Sequence, residues 1–251
     1  MAEAAVRVDR WGAIAQLTLP VRTWSGIGTR ALAALTQECE TLRDDDGVRV
    51  VIVTGEGDSF CGDWSATVDA RADQAAGVCC SAFQPVADLP QPVIAAVNGP
   101  AHGAGLELAL AADIRIAGEN ATFLLCDGES VPLSGGLTRL SRAVGRATAT
   151  WMALAGARLT AEDALAAGLV SAVLPAGELR AEAERLAAVI AARGPIAVRF
   201  GKEALRNGPD LTLPQALRYE TDLTIILQTT ADRAEGVAAF MEKRPPRFTG
   251  R

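Results

Sequence analysis

The sequence predicts a mixed α/β fold followed by a helical C-terminal region, and three observations carry that expectation. Short apolar runs rich in β-branched residues, Val48 to Thr54 and Val93 to Val97, read as buried strands. Between them lie stretches with helical spacing, and from Glu178 to Glu242 the helical pattern stands alone. At 251 residues and 49% hydrophobic content, the chain can bury a large core in one α/β domain with a helical appendage. The division expected is a core over 1–192 and a helical region over 193–251.

Taken in order, Val6 to Asp9 and Ala13 to Leu19 alternate around Trp11-Gly12, which predicts a hairpin. Ser25 reads as the N-cap of a helix from about Ile27 to Arg43, with Leu32, Leu35, Cys39 and Leu42 on one face. Asp44-Asp45-Asp46-Gly47 ends it, and the strand from Val48 completes a β-α-β unit. Gly26 to Ala31 fits the spacing GxGxxA, but a dinucleotide fingerprint needs its glycines directly off the strand and an acid closing the next one. Here Pro20 to Ser25 intervene, and the second strand closes on Thr54-Gly55, which argues against that reading. A glycine-rich loop follows over 55–65, then a weakly helical, Ala-rich stretch from Ala66 to Asp88. Further on, Thr160 to Asp163 has N-cap chemistry. Helices are expected over Glu178 to Ala192, Pro195 to Arg206, Leu213 to Thr230 and Asp232 to Glu242.

The stretch from Pro92 to Ala117 carries the chemistry. The strand Val93 to Val97 ends on Asn98-Gly99-Pro100, and Gly103-Ala104-Gly105 then opens a helix. Small residues let another molecule's atoms approach a backbone, and the first turn of a helix has unpaired N–H groups at the positive end of its dipole. A developing oxyanion needs such donors. Glu107 follows in an otherwise apolar run, where a carboxylate is costly unless paired or used; it is either a reacting group or an acid favoured by the helix dipole.

Composition narrows the function. The net charge of −6 and the absence of a basic run argue against a nucleic-acid partner. Lys202 and Lys243 are the only lysines among 24 basic residues, and the arginines that make up the rest could grip an anionic group around a pocket. No signal peptide and no bilayer-length apolar run are evident, so a cytoplasmic chain with no membrane partner is expected. Five cysteines without CxxC spacing read as reduced thiols, and a single histidine, His102, makes a structural zinc site or a Ser-His-Asp triad improbable.

The segment containing Asn98-Gly99, Gly103-Ala104-Gly105, Glu107-Leu108-Ala109 and Asp113 to Ala117 resembles the enoyl-CoA hydratase/isomerase (crotonase) superfamily. The resemblance extends to Phe60-Cys61-Gly62, to Ser134 to Leu140, to Gly156 to Val170 and to Glu235 to Pro245. It implies a crotonase-like spiral of β-β-α units whose C-terminal helices build a homotrimer or a dimer of trimers. It also implies an acyl-CoA thioester substrate, with coenzyme A as part of that substrate and no separate cofactor or metal. The Trp64 and Ala104 N–H groups are then the oxyanion hole, and Glu107 and Asp127 the acid-base pair. Cys61, Gly62, Gly103 and Gly105 line the substrate; His102, where many members have leucine, either lines it too through a polar contact near the acyl group or is a loop histidine bonded to backbone, and Lys243 either holds CoA phosphates or is a solvated basic end.

Three departures stand out. Asp63 replaces a glycine, Ser65 replaces an aspartate, and the loop 122–131 is two residues short, so that Asp127 or Leu125 falls at the second carboxylate position according to the end from which it is counted. Glu129 is the other acid in that loop. The resemblance implies an enoyl-CoA hydratase, with three alternatives: an isomerase, another crotonase-type enzyme, or an idle relative kept as a binding protein.

Overall fold

The computed structural model describes residues 6–20, 26–65, 82–126, 132, 134–175 and 177–251. Its organising element is a six-stranded sheet of β1 (Arg7–Trp11), β2 (Ile14–Leu19), β3 (Val50–Gly55), β4 (Val93–Val97), β6 (Ile114–Gly118) and β9 (Ala172–Leu174), in the order β1-β2-β3-β4-β6-β9. β1 pairs antiparallel with β2 through the expected hairpin, and the rest of the sheet is parallel. Parallel strands are covered on both faces, and period-two alternation sorts the side chains. Val51 and Val53 of β3 join one core with Leu17, Val93 and Ala95, whereas Val50 and Ile52 join Ile94, Ala96 and Ile116 in another.

The first core is closed by helix α1 (Thr29–Arg43), which buries Leu32, Leu35, Cys39 and Leu42 as its spacing predicts. The helix starts at Thr29, two residues later than the sequence suggests, and Gly28 caps it without a side-chain bond. Ile27 is held back by two backbone bonds, its N–H donating to the Asp63 carbonyl (2.9 Å) and its carbonyl accepting from Ser65 (3.1 Å). A side chain at Gly26 would begin 1.8 Å from that Asp63 carbonyl, so this glycine serves chain packing and not a phosphate. Ser25 lies outside the described residues. Of the Ala-rich stretch, the described part contains the short helix α2 (Gln84–Ala87).

A three-stranded sheet of β5 (Ala101–His102), β7 (Thr122–Leu124) and β8 (Leu159–Thr160), in the order β5-β7-β8, stands apart from the first. Cys61 bridges to Ala101 on its β5 side. The chain thus leaves the large sheet after β3, β4 and β6 and enters the small one at Cys61, β5 and β7. Helix α3 (Ala104–Ala111) begins at that passage, with every residue buried. Helix α4 (Gly136–Ala155) starts from a left-handed Gly135 (φ 85°) and bends at Gly145. Helix α5 (Ala161–Ala166) has the reciprocal Thr160/Asp163 capping box, and α6 (Leu179–Ala191) packs Leu179, Ala183 and Ala187 on the second core.

The C-terminal helices α7 (Pro195–Asn207), α8 (Leu213–Gln228) and α9 (Ala231–Met241) agree with their sequence expectations. They bury little: α7 has no buried residue and α8 only Leu223. Polar ties hold them to the core. Lys202 reaches Asp113 (2.7 Å) and the Gln91 carbonyl (2.9 Å), and Arg49 donates to the Phe248 carbonyl (2.6 Å). Leu213, Ile225, Ile226, Phe240 and Met241 are left exposed. No helix among the described residues is long and apolar enough to cross a membrane.

Candidate active site

Backbone chemistry builds the site around the N-terminal end of α3. The loop after β3 is tied to the β4–β5 turn by Asn98, whose amide donates to the carbonyls of Gly55, Gly57 and Ser59 and whose oxygen accepts from the Gly55 N–H. The Phe60 and Cys61 N–H groups donate to the Pro100 carbonyl, His102 N–H to Cys61, and Gly105 N–H to Gly62 (3.0 Å). A side chain at Gly105 would begin 2.0 Å from the Cys61 carbonyl, so glycine there is what lets the helix start meet the loop.

That meeting aims two N–H groups at one point. The Trp64 N–H (2.8 Å) and the Ala104 N–H (3.2 Å) both donate to Oδ1 of Asp63. The carboxylate lies against Gly103, where an added side chain would begin 1.9 Å from the same oxygen. The Trp64 ring stacks on Phe83 with centroids 5.5 Å apart, and its indole N–H is buried with no hydrogen-bond partner among the described residues.

Glu107 is fully buried one turn along α3. Its Oε1 accepts from the Ser134 N–H (2.7 Å) and the Gly136 N–H (2.9 Å), so a second loop orients it. Arg139 steadies that loop by donating to the Ser134 carbonyl (3.0 Å) and to Gln84 (2.8 Å); burial lowers the Arg139 pKa, while Glu107 and Asp88 oppose the shift. The Phe83 N–H donates to the Ser134 hydroxyl (3.2 Å), which joins the Glu107 loop to the ring beneath Trp64.

The structure therefore brings together Cys61, Gly62, Trp64, Gly103, Ala104, Gly105 and Glu107. His102 adjoins them, half-buried, with Nε2 on the Thr122 hydroxyl (2.9 Å) in place of a backbone partner. Burial and then Arg158 lower its pKa, and Asp63 opposes the shift. The Cys61 thiol is pushed up to about 12 by burial, with Asp63 adding to the effect. Lys243 stands exposed beyond α9, and none of the site's described hydrogen bonds runs to it. Asp127 and Glu129 lie outside the described residues. Leu125 is buried, and its Cδ1 is 3.0 Å from where a Gly136 side chain would begin, against 2.9 Å for Oε1 of Glu107. No cluster of three or more His, Cys, Asp or Glu side chains among the described residues is placed to hold a metal.

Sequence reasoning missed three contributors. Ser134 and Gly136 enter the sequence reading only through the resembling stretch Ser134 to Leu140, and Asp63 only as a departure from a pattern. The glycine pair ahead of a helix, with N–H groups to offer, is the signal that points to the first two.

A paired-amide anion site beside a buried, oriented carboxylate can hold negative charge and move a proton next to it. Over residues 10–251 the chain matches the enoyl-CoA hydratase/isomerase family. The 2,3-dehydroadipyl-CoA hydratase of Escherichia coli K12 is 38% identical over 232 residues, covering 90% of this chain and 91% of that protein. The carnitinyl-CoA dehydratase of Salmonella arizonae is 35% identical over 260 residues, 98% of each chain. The crystal structure of an enoyl-CoA hydratase from Bacillus anthracis superposes with a TM-score of 0.92 at 34% identity, covering 98% of this chain and 99% of the other. The chain belongs to the enoyl-CoA hydratase/isomerase family and has the crotonase fold.

Proposed function

We propose that the protein is an enoyl-CoA hydratase, adding water across the double bond of a 2-enoyl-CoA through an enolate. The observation that carries this reading is the convergence of the Trp64 and Ala104 N–H groups on one oxygen position, at the start of the helix that bears Glu107. A thioester oxygen there gains negative charge as hydroxide adds at Cβ. Each of the two donors stabilises that charge, and losing one would raise the barrier by about 3 kcal/mol. Glu107 and Asp127 divide the proton work: one takes a proton from water, and the other gives one to Cα as the enolate collapses. Cys61, Gly62, Gly103 and Gly105 supply backbone around the thioester. That similar proteins are named a CoA-thioester hydratase and a CoA-thioester dehydratase supports water chemistry. The exposed apolar residues of α8 and α9 are the surfaces through which we expect trimers, or dimers of trimers, to form.

A second reading is favoured by Leu125, the apolar side chain next to Glu107 across Gly136. If Leu125 stands where the second carboxylate would, Glu107 alone shuttles a proton, as an isomerase requires. Crotonoyl-CoA separates the two. Hydration removes the absorbance of the conjugated thioester, whereas a single-carboxylate enzyme leaves it and exchanges Cα protons of butyryl-CoA with heavy water. Neither signal would leave an idle relative that binds without turnover.

A further inference from the structure

The amide pair on which the acyl-CoA reading rests already holds an oxygen of the protein itself. Oδ1 of Asp63 takes both N–H groups, at 2.8 Å from Trp64 and 3.2 Å from Ala104. The fit is close. Gly103, with φ 51°, offers no side chain, and one added there would begin 1.9, 2.1 and 2.6 Å from Oδ1, Cγ and Oδ2 of Asp63, so the carboxylate lies in space that only a glycine leaves.

The backbone around Asp63 is anchored independently of its side chain. Its carbonyl accepts from Ile27, the next residue but one, Ser65, donates back to Ile27, and Gly62 accepts from Gly105. Rotation about the Asp63 side-chain bonds can therefore vacate the amide pair while the loop keeps its place. A carboxylate is also a stronger acceptor than a neutral thioester carbonyl, because hydrogen bonds to ionised groups are roughly twice as strong. The two oxygens compete for the same two donors, and the resident one has the advantage of being tethered next to them.

We propose that Asp63 is an internal occupant of the amide pair, one that a thioester carbonyl must displace in order to bind, and that it thereby sets the affinity for acyl-CoA. This inference rests on the acyl-CoA reading above. It concerns the carbonyl oxygen alone, and not the nucleotide and pantetheine parts of CoA.

Two unreactive probes isolate that oxygen. Butyryl-CoA has the thioester carbonyl, whereas S-butyl-CoA is a thioether with a methylene in its place. Calorimetric binding to wild-type protein and to Asp63→Gly should show butyryl-CoA held on the order of ten- to a hundredfold more tightly by the variant, the range expected when a competing charged hydrogen bond is removed. S-butyl-CoA should change by less than about twofold on the same argument. Asp63→Asn, which keeps an acceptor oxygen without the charge, should fall between the two for butyryl-CoA, and it carries the test if the glycine variant does not fold. Equal affinity of wild type and variants for butyryl-CoA would overturn the proposal. So would equal tightening of both probes, which would mean that Asp63 acts by repelling the negative charge of CoA. If wild type binds neither probe, the acyl-CoA reading itself falls, a result distinct from binding both without discrimination.

Discussion

At two places around the N-terminal part of α3, a pair of backbone N–H groups converges on one carboxylate oxygen. Asp63 accepts from Trp64, in the loop after β3, and from Ala104, the first residue of α3; Glu107 accepts from Ser134, in the loop before α4, and from Gly136, the first residue of α4. The chemistry is alike, and the attachment differs. Asp63 adjoins one of its donors, takes the other from Ala104, 41 positions on, and is partly exposed, so rotation about its side-chain bonds can release both. Glu107 is gripped by residues 27 and 29 positions away and has no exposed surface, so releasing it means opening the tertiary structure. A backbone amide pair that receives a partly exposed side chain is a site for exchange. One that closes on a distant buried acid is a means of fixing that acid's direction.

The comparison breaks most sharply at Glu107. Gln retains an oxygen for both amides, so Glu107→Gln should fold normally while turnover of crotonoyl-CoA falls on the order of 10² to 10⁴, the range for a general acid or base. Wild-type turnover would reduce Glu107 to a structural closure. In the same loop as Leu125, Asp127→Asn should lower hydration on the order of 10² or more, and Glu129→Gln should do much less. A dead Glu129→Gln variant would reassign the second carboxylate, and two active variants would favour the single-carboxylate reading.

On the other side, Gly105→Ala would force a side chain to within 2.0 Å of the Cys61 carbonyl. The loop must shift, and displacing the amide pair by even about 1 Å should cost up to ~10² in turnover. A stability loss of about 3 kcal/mol, read by denaturant titration, should accompany it. The smallest effect belongs to His102. Burial and Arg158 lower its pKa, so its charged form is penalised in the folded state. Stability should be unaffected by His102 well above its ordinary 6.5 and fall as pH drops below that value through the lower folded pKa. His102→Gln should flatten that part of the pH dependence of the thermal midpoint, and an unchanged profile would remove His102 as its source.

Most elements were legible because hydrophobic period is a local property: β3 and β4 announce themselves as β-branched runs, and the α1 face of Leu32, Leu35, Cys39 and Leu42 is buried as spaced. The start of α1 was not legible, since it is decided by bonds between Ile27 and the Asp63–Ser65 backbone, and these appear only when two distant segments meet. Asn98 shows the same limit. It reads as turn punctuation, yet its side chain gathers the carbonyls of Gly55, at the end of β3, and of Gly57 and Ser59 in the loop beyond. The helix start and Glu107 could be read from small residues and an isolated acid. The occupant of the amide pair could not, because a substitution of glycine by aspartate says that something differs without saying where a carboxylate will point.

The burial of Cys61 gives the molecule a chemical clock. Its thiol lies in the loop that aims the amide pair, fully covered and pushed up to about 12, so a thiol reagent finds little thiolate there until the loop parts. Cys39, on α1, is equally covered and also pushed up to about 12, but is exposed only when α1 lifts from the sheet. The ratio of alkylation rates at these two cysteines, followed peptide by peptide, therefore measures how much more often the site opens than the core around it.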